Sequence, residues 1–277
     1  MAAAASGTGA LSRALLPATN DGWLDRHLPL AVQGLCWAAL VVLAVRPADR
    51  RSWSDLALAS PHRGWRPAAA GILAWLLPVV AGLGIVLGTG ALDIAPAADP
   101  PAVGRLALLL PLTIVVTFVV YSLPAESLFR GYVYTNLAER MRGWPLLTAT
   151  TTLQTLVLLA ITPTAGLPAV ATAFGTGIGL TYLRAVSGTV WFCAAVHATS
   201  TSFGYLLNND TLHMTDETQV RILLGILPLA VAIVMVARLA RRSPRCSAGN
   251  RPDPALCAAR KVIVAGRAVL PPLELAV

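Results

Sequence analysis

Seven stretches of the chain contain no Asp, Glu, Lys or Arg: Leu28–Val45, Ala68–Leu92, Leu106–Leu123, Pro145–Ile161, Gly166–Leu183, Thr189–Leu207 and Ile222–Ala237. A helix needs roughly 17–25 apolar residues to cross the hydrocarbon core of a bilayer. The runs are continuously apolar and do not alternate with period two, which speaks against a transmembrane β-barrel. Charged residues make up 12% of the chain and mean hydropathy is +0.68. A soluble domain carries about 25% charged residues, so too few are present here to clothe a water-facing globule. Disorder is excluded as well, because low hydrophobicity is its signature. The expected fold is therefore all-α: a polytopic membrane helix bundle with about seven transmembrane helices. It divides into an N-terminal segment, 1–27, a membrane domain, 28–238, and a basic tail, 239–277, read as mostly disordered.

Charge in the connections sets the expected orientation. Only Arg13, Arg26, Arg105 and Arg221 fall on the side that carries the N-terminus. The other seventeen of the twenty-one Lys and Arg fall on the side that carries the C-terminus. The C-terminus is thus expected in the cytoplasm and the N-terminus outside, as in an integral, multi-pass cell-membrane protein. The net charge of +8 then reads as cytoplasmic arginines near anionic lipid, with no nucleic-acid partner. Segment Ser52–Arg66, with Trp53 and Trp65, is expected at the cytoplasmic interface, where tryptophan prefers to sit.

Cysteine sets no framework. Cys36 and Cys193 lie in apolar runs, Cys246 and Cys257 in the tail, and no Cys-x-x-Cys occurs. The N-terminus reads as lacking a secretory leader. No His-Glu-x-x-His and no Gly-x-Ser-x-Gly is present. His213, near Asp210, Asp216 and Glu217, reads as part of a solvated acidic loop, so neither a metal nor another cofactor is expected. Gly175-Thr-Gly-Ile-Gly179 lies mid-span and reads as close helix packing.

The informative stretch is Ser122-Leu-Pro-Ala-Glu-Ser-Leu-Phe-Arg-Gly-Tyr-Val-Tyr134. Pro124 either kinks the third span or ends it and starts a new helix. Glu126 and Arg130 are spaced i,i+4, on one helical face. Glu126 precedes the cytoplasmic signal at Arg140 by about 20 Å of helix, so it is expected inside the membrane boundary. A structural ion pair is the plain reading. Intramembrane acids are costly, however, and usually face an interior cavity. His197, the only histidine within an apolar run, lies at a similar depth and is expected to face the same cavity.

Ala125-Glu126-Ser-Leu-Phe-Arg130-Gly-Tyr resembles the Glu-Glu-x-x-x-Arg signature of the CAAX-protease and bacteriocin-processing (CPBP, or Abi) family. The resemblance extends from about residue 53 to 207. It takes in Ser54-Asp-Leu-Ala-Leu, Gly64-Trp65-Arg66 and the stretch from Gly177 through Ser187-Gly-Thr-Val-Trp191 to His197. It implies an α-helical intramembrane endopeptidase that uses no metal. In that family the first motif Glu and a Phe-x-x-x-His histidine activate water. A second His, with an Asn or Asp four residues on, stabilises the oxyanion. By this resemblance the site residues are Glu126, Arg130, His197 and Thr201, the last standing where Asn or Asp is usual. Ala125 replaces the first Glu. The best register for the second motif falls on Thr155 and Leu159, so both of its residues are replaced.

Three readings follow. The chain is an endopeptidase cutting membrane-embedded or prenylated peptides. Alternatively it is an inactive pseudoprotease that binds a membrane peptide or lipid. A third alternative is a proton-coupled transporter using Glu126 and His197, against which stands the absence of an inverted repeat. General acid–base groups contribute roughly 10²–10⁴-fold to rate, and the water-activating pair is missing, so the second reading is favoured.

Overall fold

The computed structural model describes residues 22–58, 60–89, 94–96, 103–162, 166–205, 212–214 and 226–242. The expected all-α bundle is present. Its α-helices run α1 (Gly22–Leu43), α2 (Pro61–Thr89), α3 (Val103–Thr117), α4 (Leu123–Glu126), α5 (Tyr134–Ala138), α6 (Trp144–Ile161), α7 (Leu167–Ser187), α8 (Val190–Tyr205) and α9 (Leu227–Arg242). Among the described residues, four segments are long and apolar enough to cross a membrane: Leu28–Pro47, Pro61–Ile85, Leu108–Ala138 and Trp144–Ile161. Helices α7, α8 and α9 overlap the remaining three apolar runs. The outer part of the N-terminal segment and the tail beyond Arg242 lie outside the described residues.

The connections show how the chain goes up and down. At one end, the loop after α1 meets the loops after α5 and α7. Arg51 pairs there with Glu139, and the Val190 N–H bonds the Ala57 carbonyl at 3.3 Å. At the other end, the connection after α2 meets the connection after α8 through a short antiparallel ribbon, β1 (Ile94–Pro96) with β2 (Leu212–Met214). This ribbon was not anticipated from the sequence. His213, read there as part of a solvated loop, lies in it opposite Ala95.

Two boundaries differ from expectation. Pro61–Arg66 forms the first turns of α2, so only the residues before Pro61 make an interfacial loop. The third span does not end at Leu123. Elements α3, α4 and α5 follow end to end, joined by π-helical turns at Phe118–Ser122 and Ser127–Val133. The physical reason lies at Pro124, whose missing N–H and bulky ring would break a regular helix opposite the Val120 carbonyl. A wide turn just before the proline absorbs the misfit and keeps the chain helical: the Leu123 N–H reaches back five residues to the Phe118 carbonyl. The Val120 carbonyl leans against Gly34 of α1, where a Cβ would come within 1.8 Å of its oxygen.

The main apolar core joins α2, α7, α8 and α9 through Trp75, Val79, Leu180, Leu183, Phe192, Val196 and Leu229. Trp75 meets Phe203 edge-on, with ring centroids 5.3 Å apart. This packing fixes α8 as the central helix. The third pass is held between α8 on one side and α1 on the other, where Trp37 meets Phe129 at 5.7 Å.

Candidate functional site

The motif pass and α8 bring Glu126, Arg130 and His197 together, although 71 residues separate the acid from the histidine. Glu126 and Arg130 are both fully buried. Glu126 Oε1 accepts from His197 Nδ1 at 2.7 Å and from an Arg130 terminal nitrogen at 3.3 Å. Its second oxygen, Oε2, lies 3.2 Å from Arg130 Nε. That contact is within ion-pair reach but is not aligned as a hydrogen bond. The other Arg130 terminal nitrogen donates to the Gly177 carbonyl at 3.0 Å.

This is how a membrane interior tolerates a carboxylate. Taking one charge out of water costs several kcal/mol, roughly, unless a partner and hydrogen bonds meet it. The i,i+4 spacing supplies the partner, α7 supplies a carbonyl and α8 supplies an imidazole. Because a carboxylate only accepts, the bonded His197 nitrogen carries the proton. In the neutral ring Nε2 is then an acceptor, and it becomes a donor only in the imidazolium. An imidazolium would place a second positive charge beside Arg130 against a single carboxylate.

Next to this cluster lies a cavity of about 190 Å³. Its wall includes Gln33 and Trp37 of α1, and Tyr121, Ala125 and Phe129 of the motif pass. Gln154, Val157, Leu158 and Ile161 come from α6, Leu180 from α7 and His197 from α8. Tyr121 meets the His197 ring edge-on at 5.5 Å. Ala125 faces the cavity, whereas Glu126, one residue on, is turned into the protein among Arg130 and His197. One residue is about 100° around a helix, which accounts for the difference.

The register on α6 needs correction. Thr155 is buried and bonds back to the Thr151 carbonyl at 2.9 Å. Leu159 is half-buried and is not part of the wall; Gln154 and Leu158 are. The pair aimed at the cavity is thus one residue earlier than the sequence register gave. Thr201, one turn on from His197, is half-buried, does not line the cavity and makes no hydrogen bond with another described residue.

Several contributors were not anticipated. Arg184 was counted as a cytoplasmic loop charge. It is buried instead, with its Nε donating to the Arg130 carbonyl at 3.0 Å and its guanidinium over the Tyr134 ring at 5.1 Å. Gly177 contributes through its backbone: a Cβ there would sit 2.7 Å from the Thr151 methyl. The glycine run on α7 was the available signal, and it was read as packing without a ligand for the arginine. Among the described residues no group of three or more His, Cys, Asp or Glu is placed to hold a metal.

No curated protein and no solved structure matches the chain. A family model does match, over residues 107–203, and its description is "Type II CAAX prenyl endopeptidase Rce1-like". The matched region holds Glu126, Arg130, His197 and Thr201, and with the apolar helices it describes a multi-pass, CAAX-protease-like membrane protein. Over these residues the chain is similar to the Rce1-like, CPBP family of membrane proteins.

Proposed function

We propose that this protein is a CPBP-family member without peptidase activity, which uses the old active-site cavity to bind a ligand from the membrane. One observation carries the reading. Ala125, at the position of the motif's first Glu, lines the cavity, whereas Glu126 does not and is paired with Arg130 and His197. Among the described residues no carboxylate lines that wall. A general base must reach the water it activates, and a buried acid already holding a guanidinium is a poor one. Leu158 stands where an imidazole would have to project. The seventeen-to-four division of cationic residues supports a cytoplasmic C-terminus, with the Arg51–Glu139 end on the same side.

The test is a cleavage assay on prenylated and membrane-adjacent peptides in liposomes. Wild-type protein is expected to cleave no faster than His197→Ala. Ala125→Glu alone should help little. Ala125→Glu with Leu158→His should raise the rate on the order of 10²-fold, because a base and its partner act as one unit. A wild-type rate well above that of His197→Ala, and abolished by Glu126→Gln, would make Glu126 the base and overturn the proposal.

A further inference from the structure

The cavity wall holds two carboxamides, Gln33 on α1 and Gln154 on α6, supplied by helices that lie far apart in the chain. Gln154 Oε1 is buried without a hydrogen-bond partner, and Gln33 is half-buried at the wall. Gln154 Oε1 is turned away towards Gly177, which leaves the Gln154 amide nitrogen as the donor for the cavity and the Gln33 oxygen as the acceptor. Around them the wall is mostly apolar: Trp37, Phe129, Val157, Leu158, Ile161 and Leu180. Inside a membrane an unmet amide is costly, because no bulk water reaches it. A purely hydrocarbon occupant would offer neither carboxamide a partner. Leucine or methionine would fill the same two positions at no such cost.

A carboxamide offers one acceptor and two donors. Its natural complement is a group that presents a donor and an acceptor together. We propose that Gln33 and Gln154 form a hydrogen-bonding bracket that selects ligands bearing a secondary amide, with their apolar flanks against the aromatic and aliphatic wall. This rests on the binding reading above and names the chemistry that the cavity recognises. A peptide backbone and an N-acyl lipid both carry such a group. His197 stays engaged with Glu126 throughout, so the bracket acts independently of the charged cluster.

The experiment uses full-length protein in detergent and follows Trp37 fluorescence, with Trp37→Phe as the blank. Three probes are titrated: N-dodecylacetamide, dodecyl acetate, and a capped apolar tripeptide. The ester matches the amide in shape and acceptor but lacks the N–H. Wild-type protein should bind the amide about tenfold more tightly than the ester, the scale of one or two buried hydrogen bonds. Gln33→Met with Gln154→Met keeps volume and suits an apolar setting, so it should fold. It should bind both alkyl probes with the preference reduced to within about twofold. Stronger binding of the tripeptide than of the alkylamide assigns the amide to a peptide; the reverse assigns it to an N-acyl lipid. Equal affinity for amide and ester, or a preference that survives the double substitution, overturns the bracket while leaving the cavity a binding site. If no probe binds at all, the binding reading falls with it.

Discussion

Two regions one helical step apart treat polar groups in opposite ways. On the inward side of the motif pass, Glu126, Arg130 and His197 pair with one another and Arg130 also donates to the Gly177 carbonyl. On the cavity side, Ala125 presents only a methyl group, and Gln154 Oε1 is buried without a hydrogen-bond partner. The closed cluster holds helices together; the cavity wall does not. A charged residue in a membrane is thus not by itself the mark of an active centre. What matters is whether its hydrogen-bonding capacity is spent within the protein or left facing a space.

Breaking the closed side should have the largest effect. Arg130→Met leaves a buried carboxylate facing only an imidazole and should cost about 3–5 kcal/mol. Glu126→Gln with Arg130→Met should cost less than Arg130→Met alone, because no unmatched charge remains. Thermal unfolding of the detergent-purified protein checks both. Additive losses would mean that the two side chains are not coupled.

Gly34→Ala comes next. The added methyl meets the Val120 backbone, which cannot rotate away as a side chain could. A cost of about 1–3 kcal/mol is expected, together with altered Trp37 fluorescence as α1 is displaced. An unchanged melting midpoint would show that α1 and the motif pass do not meet so closely.

The smallest effects belong to the exposed end of the bundle. Arg51, bonded to Glu139, is held above its usual pKa, and Asp55, bonded to the Ser52 N–H and hydroxyl, is held below the usual carboxylate range. A depressed acid contributes stability above its unfolded pKa and loses it as pH falls through its folded pKa. Asp55 is exposed, so Asp55→Asn should flatten only a slight acid-side slope in the melting midpoint, read between neutral pH and about pH 3. A large shift would mean that this loop bears on the buried cluster.

How much of this could be read in the chain depends on the kind of signal. Membrane residence was plain, because uncharged runs of that length have few other uses. The pairing of Glu126 with Arg130 was legible from i,i+4 spacing. Its connection to His197 needed the depth argument and could not have supplied a distance. The extent of the third span stayed open between a kink and an end at Pro124, because nothing local announces a wide turn that absorbs the proline. The face of α6 was misread by one residue, since a helix apolar on most sides carries no period to fix its rotation. Arg184 was misplaced because a charge near a helix end looks the same whether it turns outward or folds back under its neighbour.

The contact between Gly34 and the Val120 carbonyl works as a mechanical index. It joins main chain to main chain, so it has no rotamers to relax into and no charge for salt or pH to weaken. Gln33 lies one residue before it and Trp37 three after. Whatever length the outer segment or the following loop acquires, those two side chains stay at a fixed height against Tyr121 and Ala125. The proline that interrupts the motif helix thereby keeps the wall of the cavity in alignment across two separate helices.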